Sequence, residues 1–344
     1  MKNWSFWRYY RQIGRALALL PAVVSCLAVA GSCSSPTAPT PPPPPPPPVA
    51  TAPSLSCRSD VSLRTVNAAG VDVHFDAPSA TNGQPPVQVT CTPGSGSVFP
   101  IGSTTVTCNA SDSLSRTASC TFGVSVAKIP QLSRVRFLAF GDSITEGEVT
   151  VPIGGGGGAV SSRQVIVPSA AYPTVLAKLL QARYSAQADN IIVANFGLGG
   201  EKAVNARTRF IAALNNVRPD VVLLMEGSND IARGEDGAAS AAASEIRNMA
   251  AEARLRGMRV FIATVAPGKP GGSKTIQPIL LVDYANRMRA VANGEGAVLV
   301  DVYQALLTDV FTYMGGDGLH PNEAGYNRIA QEFFNAIQAT LEIR

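Results

Sequence analysis

From residue 135 onward, short apolar runs alternate with longer segments in which apolar positions recur every three to four residues. The runs at 135–140, 191–196, 221–225, 260–265 and 298–302 read as strands buried on both faces, because a strand with one wet face would alternate apolar and polar residues. The segments 172–183, 203–215, 238–256, 282–292 and 324–341 carry the helical period. Five strand–helix units in succession predict an α/β domain over residues 132–344. Its sheet is parallel and five-stranded, covered by helices on both sides in a three-layer, doubly wound arrangement. In such sheets ligands bind beyond the carboxyl ends of the strands. The chemistry is therefore to be sought where each apolar run stops.

Upstream the period changes to two. Val71-Asp72-Val73-His74-Phe75, Val87-Gln88-Val89-Thr90 and Thr104-Thr105-Val106-Thr107 alternate apolar with polar residues between Gly, Pro and Asn turns, which predicts a small all-β domain over 55–128. Four of the six cysteines fall here, Cys57, Cys91, Cys108 and Cys120. An even number in an exported domain of this size implies two disulfides, and three pairings are open. His74 stands alone on a strand face with no partner constellation, so it reads as structural.

The first 33 residues follow the layout of a secretory signal: Lys2, Arg8, Arg11 and Arg15, then an apolar run at 16–30, then Gly31, Ser32 and Cys33. Pro21 interrupts that run, which is also short for a membrane-spanning helix of about 20 residues. Cys33 sits where bacterial lipoproteins carry an acylated cysteine, so a lipid anchor there is the expectation. Cys26 is the alternative anchor, and a plain signal peptide cut after Ala30 is the other reading. Residues 34–54 form a linker whose eight consecutive prolines, 41–48, adopt extended polyproline II at about 3.1 Å per residue and act as a stiff spacer.

Composition excludes some classes of function. Hydrophobic residues make up 46% of the 344 and charged residues 15%, enough for large cores and too little charge for a disordered chain. The net charge of +4 comes partly from the extreme N-terminus, and no folded segment carries a basic stripe with interleaved aromatics. Nucleic acid is therefore not an expected partner.

The strand ends carry the candidate chemistry. The first runs into Gly141-Asp142-Ser143, where a serine in a strand-to-helix turn can present its hydroxyl over the sheet edge near a helix N-terminus. The second ends in Asn195-Phe196-Gly197-Leu198-Gly199-Gly200, and the third in Gly227-Ser228-Asn229-Asp230. Hydrolysis of an ester passes through an oxyanion that needs fixed donors, and a glycine amide or an Asn side chain can supply them. Before the last helix, Asp317-Gly318-Leu319-His320 places a carboxylate and an imidazole three residues apart. The imidazole takes the serine proton and the carboxylate holds its tautomer. The chain has two histidines, and the other, His74, lies in the β domain. A zinc site is not expected, since Asp142, Asp230, Asp317 and a single histidine lack a hydrolytic ligand set. The glycine run at 154–158 is followed by no Lys-Ser/Thr pair, so it is not a phosphate cradle. No cofactor is expected.

These blocks, in this order, resemble the SGNH, or GDSL, hydrolase family over essentially all of residues 132–344. The resemblance implies a flavodoxin-like fold and ester hydrolysis. Ser143 would be the nucleophile, His320 the base and Asp317 its orienting carboxylate. The Ser143 amide, the Gly200 amide and the Asn229 side chain would form the oxyanion hole, with Asp142 and Asp230 holding the turns. The stretch 91–126, with Phe99-Pro100-Ile101-Gly102, Thr105-Val106-Thr107-Cys108 and Ser119-Cys120-Thr121-Phe122, resembles the hyalin-repeat (HYR) domain, an immunoglobulin-like sandwich associated with adhesion. The expectation is an exported esterase acting on small acyl or carbohydrate acetyl esters, with cell-surface or polysaccharide contact through the β domain. A lipase, lysophospholipase or thioesterase with the same machinery is the first alternative. An inactive surface adhesin is the second. The loop at 148–170, with Val165-Ile166-Val167 as a short hydrophobic flap, is expected to overlie the site and shape its pocket.

Overall fold

The computed structural model describes residues 51–153 and 161–343. The signal segment, Cys26, Cys33, the proline run and the glycine run at 154–158 lie outside them.

The N-terminal β-rich domain contains β1 (Ser54–Leu55), β2 (Val61–Thr65), β3 (Val71–Val73), β4 (Ala80–Thr81), β5 (Gln88–Thr92), β6 (Ser97–Phe99), β7 (Gly102–Ser111) and β8 (Thr117–Lys128). Four of these make a sheet in the order β2-β8-β7-β5. The β3–β6 ribbon packs on its apolar face, with Val73, Phe75 and Phe99 meeting Val106, Phe122, Val124 and Val126 in one core. The domain starts slightly before residue 55, since the Thr51 carbonyl already accepts from the Gly83 amide at 3.1 Å. Of the three open pairings, the fold selects Cys57–Cys120 and Cys91–Cys108. Cys91 and Cys108 face each other across the β5–β7 ladder.

The C-terminal part opens with β9 (Arg136–Gly141), α1 (Ser143–Glu146) and an antiparallel pair, β10 (Glu148–Ile153) and β11 (Ser161–Ile166). Next come α2 (Tyr172–Arg183), β12 (Ile192–Gly197), α3 (Ala203–Val217), β13 (Val221–Met225), α4 (Ser228–Ile231) and α5 (Ala238–Leu255). The chain finishes with β14 (Arg259–Ala263), α6 (Pro278–Gly294), β15 (Val298–Val300), α7 (Val302–Leu307), α8 (Val310–Tyr313) and α9 (Glu323–Leu341). The sheet is parallel throughout, in the order β12-β9-β13-β14-β15, which numbered within the domain is the flavodoxin-like 2-1-3-4-5.

Alternate residues of the three central strands, β9, β13 and β14, feed two separate cores, which is why these strands lack a polar alternation. Phe137, Ala139, Leu223 and Phe261 meet Leu176 of α2 and Phe333 of α9 on one side. Leu138, Phe140, Leu224 and Ile262 meet Phe210 of α3, Met249 of α5 and Met288 of α6 on the other. Two predicted boundaries are corrected. The last strand stops at Val300 because Asp301 caps α7, its side chain accepting from the Gln304 amide, so Val302 is helical. The helix expected at 282–292 starts at Pro278, whose fixed φ suits a first turn that leaves Ile279 on the surface and hides the apolar period there. The segment expected as a loop with a hydrophobic flap is instead the β10–β11 pair, with Val151 and Val165 packed on the first core and Ile166 exposed.

Candidate active site

The order 2-1-3 places β9 between β12 and β13, so the ends of these three strands meet at the switch point of the sheet. Gly141 ends β9 there because nothing larger fits: a Cβ would lie 2.0 Å from the Met225 carbonyl oxygen. Asp142 follows in extended conformation and caps α1, its Oδ1 accepting from the Ile144 amide at 3.0 Å and its Oδ2 from the Ser228 hydroxyl. That cap sets Ser143 at the first position of the helix, buried, with its hydroxyl facing the C-terminal turn.

The Ser143 Oγ lies 2.8 Å from His320 Nε2, and His320 Nδ1 lies 2.6 Å from Asp317 Oδ2. Asp317 Oδ1 accepts from the Leu319 and His320 amides at 3.1 and 3.0 Å. Burial works to raise the Asp317 carboxyl. The hydrogen bonds from the His320 ring and backbone and from the Leu319 amide overcome it and hold the group well below the usual carboxylate range. An ionised carboxylate only accepts, so Nδ1 carries the proton and Nε2 is left to accept from the serine hydroxyl.

A cavity of about 320 Å³ opens over this line, lined by Ser143, Gly200, Asn229 and Ala232. Glu148, Ser273, Lys274, Thr275, Leu319 and His320 also line it. The Asn229 Nδ2 donates one hydrogen to the Glu201 carbonyl at 2.9 Å, which fixes the amide plane and leaves its second hydrogen for the cavity. Geometry separates the two adjacent glycines: the Gly199 amide donates to Glu146 Oε2 at 2.7 Å, whereas Gly200 borders the cavity. Asp230 faces away and accepts from the Ala203 and Val204 amides, capping α3. Burial raises the carboxyls of both Asp142 and Asp230, against the hydrogen bonds they accept. All seven candidate residues thus converge on one sheet edge, three on the Ser–His–Asp line, three bordering the cavity as candidate donors, with Ser143 in both sets, and two holding turns.

Several residues around the site are assigned no role from the sequence. Arg209 of α3 donates to the Phe196 carbonyl at 2.7 Å, the Gly141 carbonyl at 3.2 Å and the Glu201 carboxylate, and lies 3.9 Å above the Phe140 ring. It thereby ties the nucleophile strand to the glycine loop. Gly227 turns at φ 112°, and a Cβ there would meet the Tyr284 hydroxyl at 2.0 Å. Glu226, 1% exposed, has no hydrogen-bond partner for either carboxyl oxygen among the described residues. Burial first, then the neighbouring Asp142 and Glu201 charges, push it up to about 10. Gln164 of β11 approaches Asp317 Oδ2 at 3.5 Å, and Glu148 Oε2 lies 3.8 Å from His320 Nε2. Among the described residues no group of three or more His, Cys, Asp or Glu side chains is placed to hold a metal ion. Proximity to Gly-Asp-Ser could have drawn attention to Glu146 and Glu148, three and five positions past its end. Lys274 arrives from a loop more than a hundred residues away.

Residues 139–328 match the family described as the GDSL-like lipase/acylhydrolase family, and residues 49–126 match the HYR domain. Esterase TesA of Pseudomonas aeruginosa is 25% identical over 163 residues, which are 47% of this chain and 78% of TesA. Similar solved structures include Axe2, an acetylxylan esterase from Geobacillus stearothermophilus, at 22% identity and TM-score 0.46, covering 60% of this chain and 94% of that one. The lipase/acylhydrolase from Enterococcus faecalis is 19% identical with TM-score 0.49, covering 60% and 97%.

Proposed function

Because the chain belongs to the GDSL-like lipase/acylhydrolase family, preceded by a HYR domain, and is a carboxylic ester hydrolase, we propose that it removes short acyl groups from hydroxylated, carbohydrate-type alcohols through Ser143, His320 and Asp317. The observation that carries this reading is the unbroken hydrogen-bonded line Asp317–His320–Ser143, at 2.6 and 2.8 Å, on the wall of an open cavity. His320 Nε2 takes the serine proton as Oγ attacks the ester carbon, and the imidazolium formed is held by Asp317. The tetrahedral oxyanion is received by the Ser143 and Gly200 amides and the free hydrogen of Asn229 Nδ2. His320 then returns the proton to the leaving alcohol, and a water deacylates the serine by the same route. A small cavity whose apolar lining is Ala232 and Leu319 supports a short acyl group, and its polar lining by Glu148, Ser273, Lys274 and Thr275 supports a hydroxylated alcohol.

A series of p-nitrophenyl esters tests the acyl part: the rate is expected to be highest at acetate and to fall as the chain lengthens. A maximum at long chains would replace this reading with a lipase. A fluorophosphonate probe is expected to label the protein and not Ser143→Ala, and wild-type kcat in His320→Ala would remove the triad assignment. For location, we propose export with a lipid anchor at Cys33, a reading supported by the two disulfides of the β domain, which suit an oxidising compartment. Loss of labelled fatty acid from Cys33→Ser, with retained secretion, is the corresponding test.

A further inference from the structure

Glu148 occupies a position that the triad and the oxyanion donors leave unexplained. Its backbone is fixed on three sides: it pairs with Ile166 across the β10–β11 ladder, its carbonyl accepts from the Tyr326 hydroxyl at 2.5 Å, and it follows Gly147 in the left-handed conformation. Its carboxylate accepts no hydrogen bond from any described residue. One oxygen faces His320 Nε2 at 3.8 Å and the other faces Lys274 Nζ at 3.7 Å, both beyond hydrogen-bond length. The loop that brings Lys274 is itself docked on the triad turn, with the Lys274 amide donating to the Asp317 carbonyl at 2.7 Å and the Lys269 amide to Gly318 at 2.9 Å.

The side of the imidazole that Glu148 faces is decisive. Asp317 holds Nδ1, so Glu148 is no second orienting carboxylate. It stands at Nε2, the nitrogen that must hand its proton to the leaving alcohol. The alcohol oxygen therefore arrives beside Glu148. A hydroxyl on the next carbon of that alcohol would come within reach of the carboxylate, whose oxygens accept no hydrogen bond from any described residue and have only Lys274 as a counter-charge at 3.7 Å.

We infer that Glu148, steadied by Lys274, is a specificity-determining residue that binds a hydroxyl neighbouring the ester on the leaving alcohol, so that the enzyme selects monoesters of vicinal diols such as those on sugar rings. This rests on the proposed esterase reading and adds to it a reader for the alcohol. A hydrogen bond to a charged acceptor that only the hydroxylated substrate makes is expected to favour it by about 10- to 100-fold.

The test compares cyclohexyl acetate with the monoacetate of trans-1,2-cyclohexanediol, two esters that differ by the one hydroxyl. Wild-type protein is expected to prefer the diol monoester in kcat/KM by about 10- to 100-fold. Glu148→Ala should bring that ratio close to one and Glu148→Gln should leave it intermediate. A residue that only supports the fold or His320 would lower both substrates together and keep the ratio. Equal rates for the two esters in the wild type, or a ratio unmoved in Glu148→Ala, overturns the inference while leaving ester hydrolysis intact. Absence of turnover on both esters together with absence of fluorophosphonate labelling would instead sink the esterase reading beneath it.

Discussion

Replacing Glu226 by Gln should make the protein progressively more stable than the wild type as pH rises. The carboxyl is buried at the end of β13 without a hydrogen-bond partner among the described residues, beside Asp142, Glu201 and Asp230 and with Arg209 as the opposing charge. Its affinity for a proton is pushed up to about 10 in the folded chain, against an ordinary 4.5. A group with a raised value favours the fold fully below 4.5 and loses that contribution as pH climbs towards 10, because the unfolded chain ionises freely and the folded chain must keep the proton. Each pH unit in that window costs the folded state about 1.4 kcal/mol. Between pH 5 and pH 8 this amounts to at most about 4 kcal/mol, three pH units at that slope. Glutamine has the same shape and takes up no proton, so its own burial cost is a constant offset. Urea unfolding of both proteins from pH 5 to pH 9 reads the difference. The signal should be the helical ellipticity, since the described α-helices all lie from Ser143 onward and both tryptophans, Trp4 and Trp7, lie outside the described residues. The gap between the two midpoints should widen steadily with pH at constant slope. Parallel pH profiles would refute the claim that Glu226 is buried in its neutral form.

Three further outcomes follow from the site and its frame. Asn229→Ala removes one oxyanion donor and should lower kcat on p-nitrophenyl acetate by about 10²- to 10³-fold with little change in KM. Asp317→Asn should lower kcat by about 10³- to 10⁴-fold at neutral pH, since the amide cannot hold the productive imidazole tautomer, and circular dichroism should report an intact fold. Gly227→Ala forces a Cβ to within 2.0 Å of the Tyr284 hydroxyl at φ 112°, and a loss of about 3 kcal/mol is expected in urea titration.

Much of this architecture was legible in the one-dimensional pattern. Strands covered on both faces show no regular polar alternation, so five mostly apolar runs between amphipathic helices announced a parallel sheet, and its carboxyl edge named where to look. The four motif blocks then fell at strand or helix ends, where local rules operate: an Asp that caps, a Gly that alone fits, an Asn in a turn. The disulfide pairs were undecidable from spacing, because pairing depends on which strands become neighbours, and only the β-domain fold brings Cys57 to Cys120. The β10–β11 pair escaped because its apolar residues are few, broken by Thr150 and Pro152 in β10 and confined to Val165 and Ile166 in β11. Lys274 and Arg209 were invisible for a related reason, since a long charged side chain carries no period and its partner is set by a loop or helix from elsewhere. What the sequence determined was the set of elements and the candidates for nucleophile, base and donors, because these depend on neighbours along the chain. What only the tertiary structure decided was which glycine amide stays free, which carboxyl is left buried without a partner, and which charges stand beside His320. Those depend on distances between segments far apart in the chain, and a linear pattern does not encode them.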